Sequence, residues 1–114
     1  MKIYSEKRPW GEFERFTLNE KSTVKIISVR AGRRLSLQYH RKRNEFWRIL
    51  DGRARVTVGK KVFVARVGDD IIVQPKVNHR IEALAGGVSF LEISFGEFDE
   101  KDEIRIEDDF GRAK

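Results

Sequence analysis

Short runs in which apolar and polar residues alternate fill most of this 114-residue chain. The runs are rich in β-branched and aromatic residues, which favour strands. Turn residues, mostly glycine, separate them at intervals of about 8–12 residues, a spacing typical of an all-β sandwich or barrel. No segment keeps a helical period, so we expect little helix beyond a short turn near residues 97–103. The predicted strands are Val24–Arg30, Leu35–His40, Glu45–Leu50, Arg53–Val58, Lys61–Ala65, Asp70–Val73, His79–Leu84 and Val88–Phe95.

Two pairs of turn residues predict tight hairpins. Asp51-Gly52 lies between two predicted strands and is the stronger signal, because Asp-Gly suits the turn types that connect paired strands. Gly59-Lys60, between two further strands, is the second. Gly86-Gly87 predicts another turn, between the last two strands.

The composition limits the classes of function. With 39% apolar and 37% charged residues in regular runs, the chain is expected to fold as one domain, residues 1–114. It contains no cysteine, so a bound metal ion must take nitrogen and oxygen ligands. The sequence shows neither a secretory signal nor an apolar run long enough to span a bilayer. We therefore expect a cytoplasmic protein with no membrane partner.

The charge is unevenly distributed. The net charge is +6, but residues 97–109 hold eight acids and two bases, a net −6, which leaves +12 on the rest of the chain. A basic body favours an anionic ligand. Nucleic acid is not the expected anion, because the chain has neither a basic stripe with stacking aromatics nor the pattern of a known binding module.

Four side chains form a candidate metal site. Gln38 and His40 are two residues apart on a predicted strand, so their side chains leave the same face. Glu45 starts the next strand and His79 starts a later one. If the strands curl into a small barrel, the four can converge on a divalent ion such as zinc, cobalt, manganese or nickel. The alternative is that the two histidines are ordinary residues at loop edges.

Two spaced motifs resemble those of the cupins. Gly32-x5-Gln38-x-His40-x4-Glu45-x6-Gly52 resembles the first cupin motif, with glutamine where many cupins have histidine. Gly68-x6-Pro75-x3-His79 resembles the second. The resemblance implies a small jelly-roll (cupin) β-barrel. It also implies that Gln38, His40, Glu45 and His79 are the metal ligands.

A narrower resemblance covers nearly the whole chain. The segments RPWG (8–11), SLQ-x-H (36–40), E-x-W (45–47), HRIE (79–82) and EDDFGR (107–112) are similar to the C-terminal cupin domain of type II mannose-6-phosphate isomerases. This resemblance implies a metal-dependent aldose–ketose isomerase acting on mannose-6-phosphate or a related sugar phosphate. Among the ions that suit the donors, zinc is the favoured one. The resemblance also implies a homodimer, and unpaired strand edges give a physical reason for association.

Two basic residues are candidates for catalysis. Arg43 matches the family's arginine just before the motif glutamate, and the resemblance implies that it contacts anionic substrate or developing charge. Lys25 lies on a largely apolar strand, where it either reaches solvent or projects into a cavity as a base or hydrogen-bond donor. A loose positive field for the phosphate is expected from Arg33, Arg34, Arg41 and Lys42.

Departures from the family pattern keep two alternatives open. Arg41, Lys42 and Phe46 stand where the family has histidines, and the turn before His79 lacks the family's glycine. These changes favour a non-catalytic, metal-containing cupin that binds a sugar or sugar nucleotide. Another metal-cupin reaction, such as dioxygenation or decarboxylation, is the third reading. Nucleotidyl transfer is not expected, because no glycine-rich nucleotide loop is present.

Overall fold

The computed structural model describes residues 3–113, so the predicted domain 1–114 includes residues 1, 2 and 114, which lie outside the described part. Within it, nine strands account for almost all the regular structure. They are β1 (Tyr4–Arg8), β2 (Gly11–Arg15), β3 (Ser22–Val29), β4 (Leu37–His40), β5 (Glu45–Val58), β6 (Lys61–Arg66), β7 (Asp70–Val73), β8 (His79–Phe95) and β9 (Glu103–Glu107). A single 3₁₀ turn, Glu100–Asp102, is the helical content of this range.

The two longest strands, β5 and β8, form an antiparallel ribbon on which the rest of the sheet is built. At one end of the ribbon, β3 pairs with β8 and β7 pairs with β5. At the other end, β6 pairs with β5, and β4 joins β8 and then pairs with β9. The β1–β2 hairpin forms a separate two-stranded sheet.

The core lies on the inward face of this ribbon. Alternation along β5 and β8 turns Trp47, Ile49, Val56, Ile81 and Phe90 inward, and each is at most 2% exposed. Full burial of such side chains stabilises the fold by roughly 1.5–3 kcal/mol each.

The element content confirms the expected all-β class with little helix. In the described residues no helix is long and apolar enough to cross a bilayer.

The predicted hairpin at Asp51-Gly52 is wrong, and so is the predicted turn at Gly86-Gly87. β5 and β8 continue through these pairs without reversing, and the pairs lie opposite each other where the ribbon changes register. Gly52 has φ +76°, and a Cβ on it would lie 2.0 Å from the carbonyl oxygen of Gly87. Glycine is needed here for a bend and a close approach of two strands, not for a chain reversal. The other predicted hairpin is confirmed, since Val58 pairs with Lys61 across Gly59-Lys60.

Three strands escaped the sequence analysis. β1 and β2 are short and mostly exposed, and β9 falls in the acidic segment that was expected to hold only a helical turn. β9 is the important omission, because its pairing with β4 brings that acidic segment against the candidate metal site.

Candidate metal centre

Three buried side chains converge at one end of the sheet. They are His40 at the end of β4, Glu45 at the start of β5 and His79 at the start of β8. Each offers a potential ligand atom within 4.8 Å of the others. His40 Nδ1 lies 3.6 Å from Glu45 Oε2, and His79 Nε2 lies 4.0 Å from Glu45 Oε1. Ligands about 2.0–2.2 Å from a zinc ion are roughly 3–4 Å apart, so the group has the size and the donor set to hold a divalent ion.

The meeting of Glu45 and His79 depends on the curvature of the β5–β8 ribbon. Glu45 pairs with Ser94, whereas His79 pairs with Val58, so the two residues start from opposite ends of the ribbon. Because their side chains nevertheless lie 4.0 Å apart, the ribbon must curve along its length, and we attribute the curvature to the register shifts around Gly52. The region around Gly52, where the sequence wrongly predicted a hairpin, is therefore where the ribbon curves to bring Glu45 and His79 together.

His79 is oriented as a metal-binding histidine would be. Its Nδ1 lies 2.9 Å from the carbonyl oxygen of Val77 and donates to it. Its Nε2 is buried and has no hydrogen-bond partner among residues 3–113. Burial lowers the pKa of His79, which favours the neutral ring with a free lone pair on Nε2. A histidine whose other nitrogen is fixed by a carbonyl is the arrangement commonly found in metal ligands.

Glu45 is held by two donors. Trp47 Nε1 donates to Glu45 Oε1 at 3.1 Å, and Arg43 Nε donates to Glu45 Oε2 at 3.0 Å. Arg43 is 5% exposed, and its Nη2 lies 2.8 Å from His40 Nε2. Because a guanidinium only donates, that nitrogen of His40 accepts the bond. The predicted catalytic arginine thus contacts two of the three convergent side chains.

Gln38 lies beside this group, with its amide engaged elsewhere. Its Oε1 accepts a hydrogen bond from Ser36 Oγ, and its Nε2 donates to Glu103 Oε1 at 3.0 Å. Glu103 Oε1 is in turn 3.6 Å from His40 Nε2. The structure therefore gathers three of the four predicted ligands and links Gln38 to them through Glu103.

Glu103 is a site residue that sequence reasoning missed. It is the first residue of β9, and its contact with His40 and the adjacent charges of Arg105 and Arg43 lower its pKa. The signal was present: residues 103–107 (EIRIE) alternate polar and apolar, as a strand does. The strand pattern was overlooked because the segment 97–109 is so rich in acidic residues, which are uncommon in strands.

A pocket of about 210 Å³ lies next to the three convergent side chains. His40, Glu45 and His79 do not line it themselves, but its wall includes Arg43 and Glu103, which contact His40. The pocket is smaller than the roughly 300–1,000 Å³ of sites for drug-sized ligands, and suits a compact polar molecule. Its charged lining consists of the bases Lys25, Arg43 and Arg112 and the acids Glu92, Glu100 and Glu103.

Phe98 closes one side of this pocket by contacting two of its cations. Lys25 Nζ lies 4.3 Å from the centre of the Phe98 ring, and Arg43 Cζ lies 4.5 Å from it. Cations at such distances over an aromatic face are attracted to it. Of the two expectations for Lys25, the structure places the side chain in the cavity.

The four residues expected to supply a positive field are placed differently. Arg34 forms two hydrogen bonds with Asp109, at 2.8 and 2.9 Å, so its charge is paired. Arg33, Arg41 and Lys42 are exposed and do not line the pocket. Arg112, near the end of the chain, lies on the pocket instead, although it is also paired with Asp108.

Comparisons with known proteins identify the family. A family model described as mannose-6-phosphate isomerase C-terminal matches residues 2–108. Xanthan biosynthesis protein XanB of Xanthomonas campestris pv. campestris is 33% identical over 114 residues, covering 98% of this chain and 24% of that protein. Mannose-1-phosphate guanylyltransferase ManC of Salmonella typhimurium is 33% identical over 108 residues, covering 93% of this chain and 22% of its own.

The chain thus spans about a quarter of the length of these curated relatives. Among solved structures, oxalate decarboxylase from Bacillus subtilis superposes with a TM-score of 0.66 at 26% identity, over 76% of this chain and 24% of that one. The jelly-roll (cupin) fold is therefore shared with a protein of different named activity. The chain belongs to the mannose-6-phosphate isomerase C-terminal family of cupin domains.

Proposed function

We propose that this chain is a divalent-metal-dependent isomerase that interconverts mannose-6-phosphate and fructose-6-phosphate, or a closely related pair of sugar phosphates. The observation that carries the proposal is a cation-lined pocket whose wall includes Arg43, which is hydrogen-bonded to both His40 and Glu45 of the candidate metal group. Aldose–ketose isomerisation requires stabilised enediolate oxygens and an anchor for the phosphate, and this arrangement offers groups for both.

The metal would be held by His40, Glu45 and His79, with Gln38 as a fourth ligand if its amide turns from Glu103. Zinc is the favoured ion, and cobalt, manganese and nickel suit the same donors. A bound divalent ion would supply Lewis-acid polarisation of the sugar's carbonyl and hydroxyl oxygens.

The chain's own residues do the rest of the binding. Arg43, Lys25 and Arg112 bring three positive charges to the pocket, where they can hold the phosphate and the developing oxyanion. Phe98 covers Lys25 and Arg43 and limits the access of water to them. The Lys25 and Arg43 side chains already lie on the pocket wall, so neither has to move in from solvent when the substrate binds.

The test is a coupled assay of the full chain with each metal in turn. We expect turnover of mannose-6-phosphate with added zinc or a related ion, and its loss on chelation with EDTA. His40→Ala should abolish both turnover and stoichiometric metal binding, because it removes a central donor. Lys60→Ala, in the exposed turn before β6, is the control and should behave as wild type. Full activity of His40→Ala would contradict the proposed site.

A second candidate function is supported by the basic residues that replace the family's histidines. Arg41 and Lys42 directly precede Arg43 and stand in place of two side chains that could bind a metal, while their own exposed side chains do not line the pocket. This favours a metal-containing cupin that binds a sugar phosphate or sugar nucleotide without converting it. Thermal stabilisation by these ligands in a protein that shows no turnover with any of the four metals would support it.

We further propose a cytoplasmic homodimer. Sugar phosphates and nucleotide sugars are cytoplasmic metabolites, which supports the first part. Val24 and Ile26, exposed on β3, support the second, and that strand pairs with β8 alone in the described residues.

A further inference from the structure

Glu92 is a buried carboxyl group to which the proposed function has given no role. The alternation of β8 turns Phe90, Glu92 and Ser94 toward the interior, and Glu92 is only 8% exposed. Within residues 3–113 its carboxyl forms no hydrogen bond. It lines the pocket beside Arg43, so the little surface it exposes faces the space proposed for substrate.

A carboxyl group in this position is costly and needs an explanation. It lies opposite Trp47 in the register of the ribbon and two residues from Phe90, both core side chains. An isolated carboxylate is unfavourable in such surroundings. Burial accordingly raises the pKa of Glu92 to about 7. Strongly perturbed carboxyls in clefts concentrate at functional sites, because a group that exchanges its proton near neutral pH suits proton transfer.

Charged groups from several elements face Glu92. Besides burial, Glu45 on β5 and Glu103 on β9 raise its pKa, while Lys25 on β3 and Arg43 before β5 lower it. Lys25 is directly opposite Glu92 in the pairing of β3 with β8. The ionised carboxylate is therefore stabilised at a distance without being bound by either cation.

Two other carboxyl groups near Glu92, those of Glu45 and Glu103, already have hydrogen-bond or ion-pair partners. Glu45 accepts hydrogen bonds from Trp47 and Arg43, and Glu103 accepts one from Gln38 and pairs with Arg105. Among the buried and half-buried acids around the pocket in the described part of the chain, Glu92 is the one whose oxygens are free to receive a proton from a ligand.

We propose that Glu92 carries the proton between C2 and C1 of the sugar phosphate; this rests on the isomerase function proposed above. The carboxylate takes the proton from C2 of the open-chain aldose, the C–H electron pair forms the C1–C2 double bond, and the carbonyl electrons move onto O1. The hydroxyl proton of O2 then passes to O1. The C2 carbonyl forms as the double-bond electrons take the proton from Glu92 at C1, which restores the carboxylate. No oxidant, reductant or co-reactant is consumed.

The test compares Glu92→Gln with wild type in deuterium oxide, using the zinc-loaded full chain. Two rates are measured: incorporation of deuterium into the sugar carbon skeleton, and formation of fructose-6-phosphate. We expect Glu92→Gln to lower both by about 10²–10⁴-fold, the usual contribution of a general acid–base group. Zinc stoichiometry and the unfolding temperature should remain close to wild type. Glu97→Gln removes the same charge from an exposed position and should keep wild-type rates.

The outcomes separate the two proposals. An active wild type with an equally active Glu92→Gln variant overturns the role of Glu92 and leaves the isomerase standing. A wild type that binds zinc but neither exchanges nor isomerises the sugar overturns both. Loss of zinc in Glu92→Gln also overturns the proposal, because Glu92 would then act through the metal. If this variant does not fold, Glu92→Asp withdraws the carboxyl by one methylene, and an unchanged kcat in that variant overturns the role equally.

Discussion

A metal ion held through His40 Nε2 and Glu45 Oε2 would compete with Arg43 for the same atoms. Its guanidinium donates to His40 Nε2 at 2.8 Å and to Glu45 Oε2 at 3.0 Å, so an ion that takes both as ligands must displace it or share them. The guanidinium charge also repels a divalent cation. Arginine in this position orients the His40 and Glu45 side chains, and under the proposed function it would lower their affinity for a metal ion.

This competition gives a prediction with opposite signs for binding and turnover. Arg43→Met should raise zinc affinity by about 10-fold, which corresponds to about 1.4 kcal/mol, and should lower isomerase activity. Competition with a chromophoric chelator measures the first quantity and the coupled assay the second. Arg41→Met, an exposed neighbour, is the matched control and should change neither. Weaker zinc binding by Arg43→Met would show that the guanidinium supports the ion.

Glu92 predicts a pH dependence of stability. Because the folded state raises its pKa from 4.5 to about 7, the folded protein holds a proton that the unfolded chain has released over this interval. The free energy of unfolding should therefore fall as pH rises from 4.5 to 7, by up to about 3 kcal/mol. Glu92→Gln should lose this contribution. Urea unfolding of both metal-free proteins at pH 4.5 and pH 8 checks it.

The comparison is internally controlled. His79, whose pKa is lowered by burial, has the opposite effect, since its contribution to stability is lost as pH falls below its unfolded value. That effect is present in both proteins and cancels in their difference. An equal stability difference between wild type and Glu92→Gln at the two pH values would contradict the prediction.

Residue identities within spaced motifs were predictable, and single residues inside apolar runs were not. The convergence of His40, Glu45 and His79 was predictable, because strand alternation and motif spacing constrain where each side chain leaves its strand. Gln38, from the same motif, bonds to Ser36 and Glu103 instead. Glu92 lies in VSFLEISF, which predicts a buried strand whatever its one acid does. Only the register with β3 and β5 shows that this acid faces the pocket.

At the scale of elements, Gly52 is the position on which the ribbon depends. A Cβ there would lie 2.0 Å from Gly87 O, far inside contact distance, and the residue also has φ +76°. Gly32 has the same φ but nothing within 4 Å of such a Cβ. Comparing alanine substitutions at Gly52 and Gly32 therefore separates two contributions to the loss of stability: the positive φ, which both positions share, and the close approach, which only Gly52 has.

We therefore expect Gly52→Ala to destabilise the fold by roughly 3–5 kcal/mol and Gly32→Ala by only about 1 kcal/mol. Gly52→Ala should also lose metal binding, because the bend brings Glu45 and His79 together. Chemical denaturation and zinc stoichiometry measure the two effects. Equal destabilisation by both variants would mean that the close approach at Gly52 has no energetic importance.

The elements themselves were predicted better than their connections. Most strand positions follow from alternation, which is a local property of the chain. Asp51-Gly52 and Gly86-Gly87 were assigned to turns because glycine permits positive φ, and the sequence cannot show whether the chain uses that freedom to reverse or to bend. That decision depends on the pairing of β5 with β8, which is a long-range property.

At the scale of the whole molecule, two exposed apolar side chains predict association. Val24 and Ile26 on β3 are 58% and 67% exposed. We expect a dimer by light scattering, and a monomer for Ile26→Lys, because an isolated lysine at an interface is costly to desolvate. Val62→Lys, equally apolar and 61% exposed on β6, is the control. Dissociation by Val62→Lys alone would place the interface at the other edge.

The uneven charge of the chain acquires a structural meaning at this scale. The acidic segment folds back on the basic body: Asp109 pairs with Arg34, Glu107 pairs with Arg80, and the Asp102 carboxylate accepts the backbone N–H groups of Arg41 and Lys42. The sequence showed the separation of charge but not where the acidic segment pairs with the basic body. It could not place Phe98 over the pocket cations, because that contact depends on where β9 pairs.

Trp47 donates a hydrogen bond to Glu45, and its ring centre lies 5.6 Å from that of His79. Its fluorescence should therefore respond to an ion bound at this site. The second tryptophan, Trp10, is 72% exposed at the tip of the N-terminal hairpin. Trp10→Phe leaves Trp47 as the one tryptophan, in contact with His79, and excitation at the long-wavelength edge of protein absorption selects it over the two tyrosines. The emission of Trp47 then reports metal binding without an added label. Stopped-flow fluorescence can time the binding and release of the ion with His40, Glu45 and His79 unaltered.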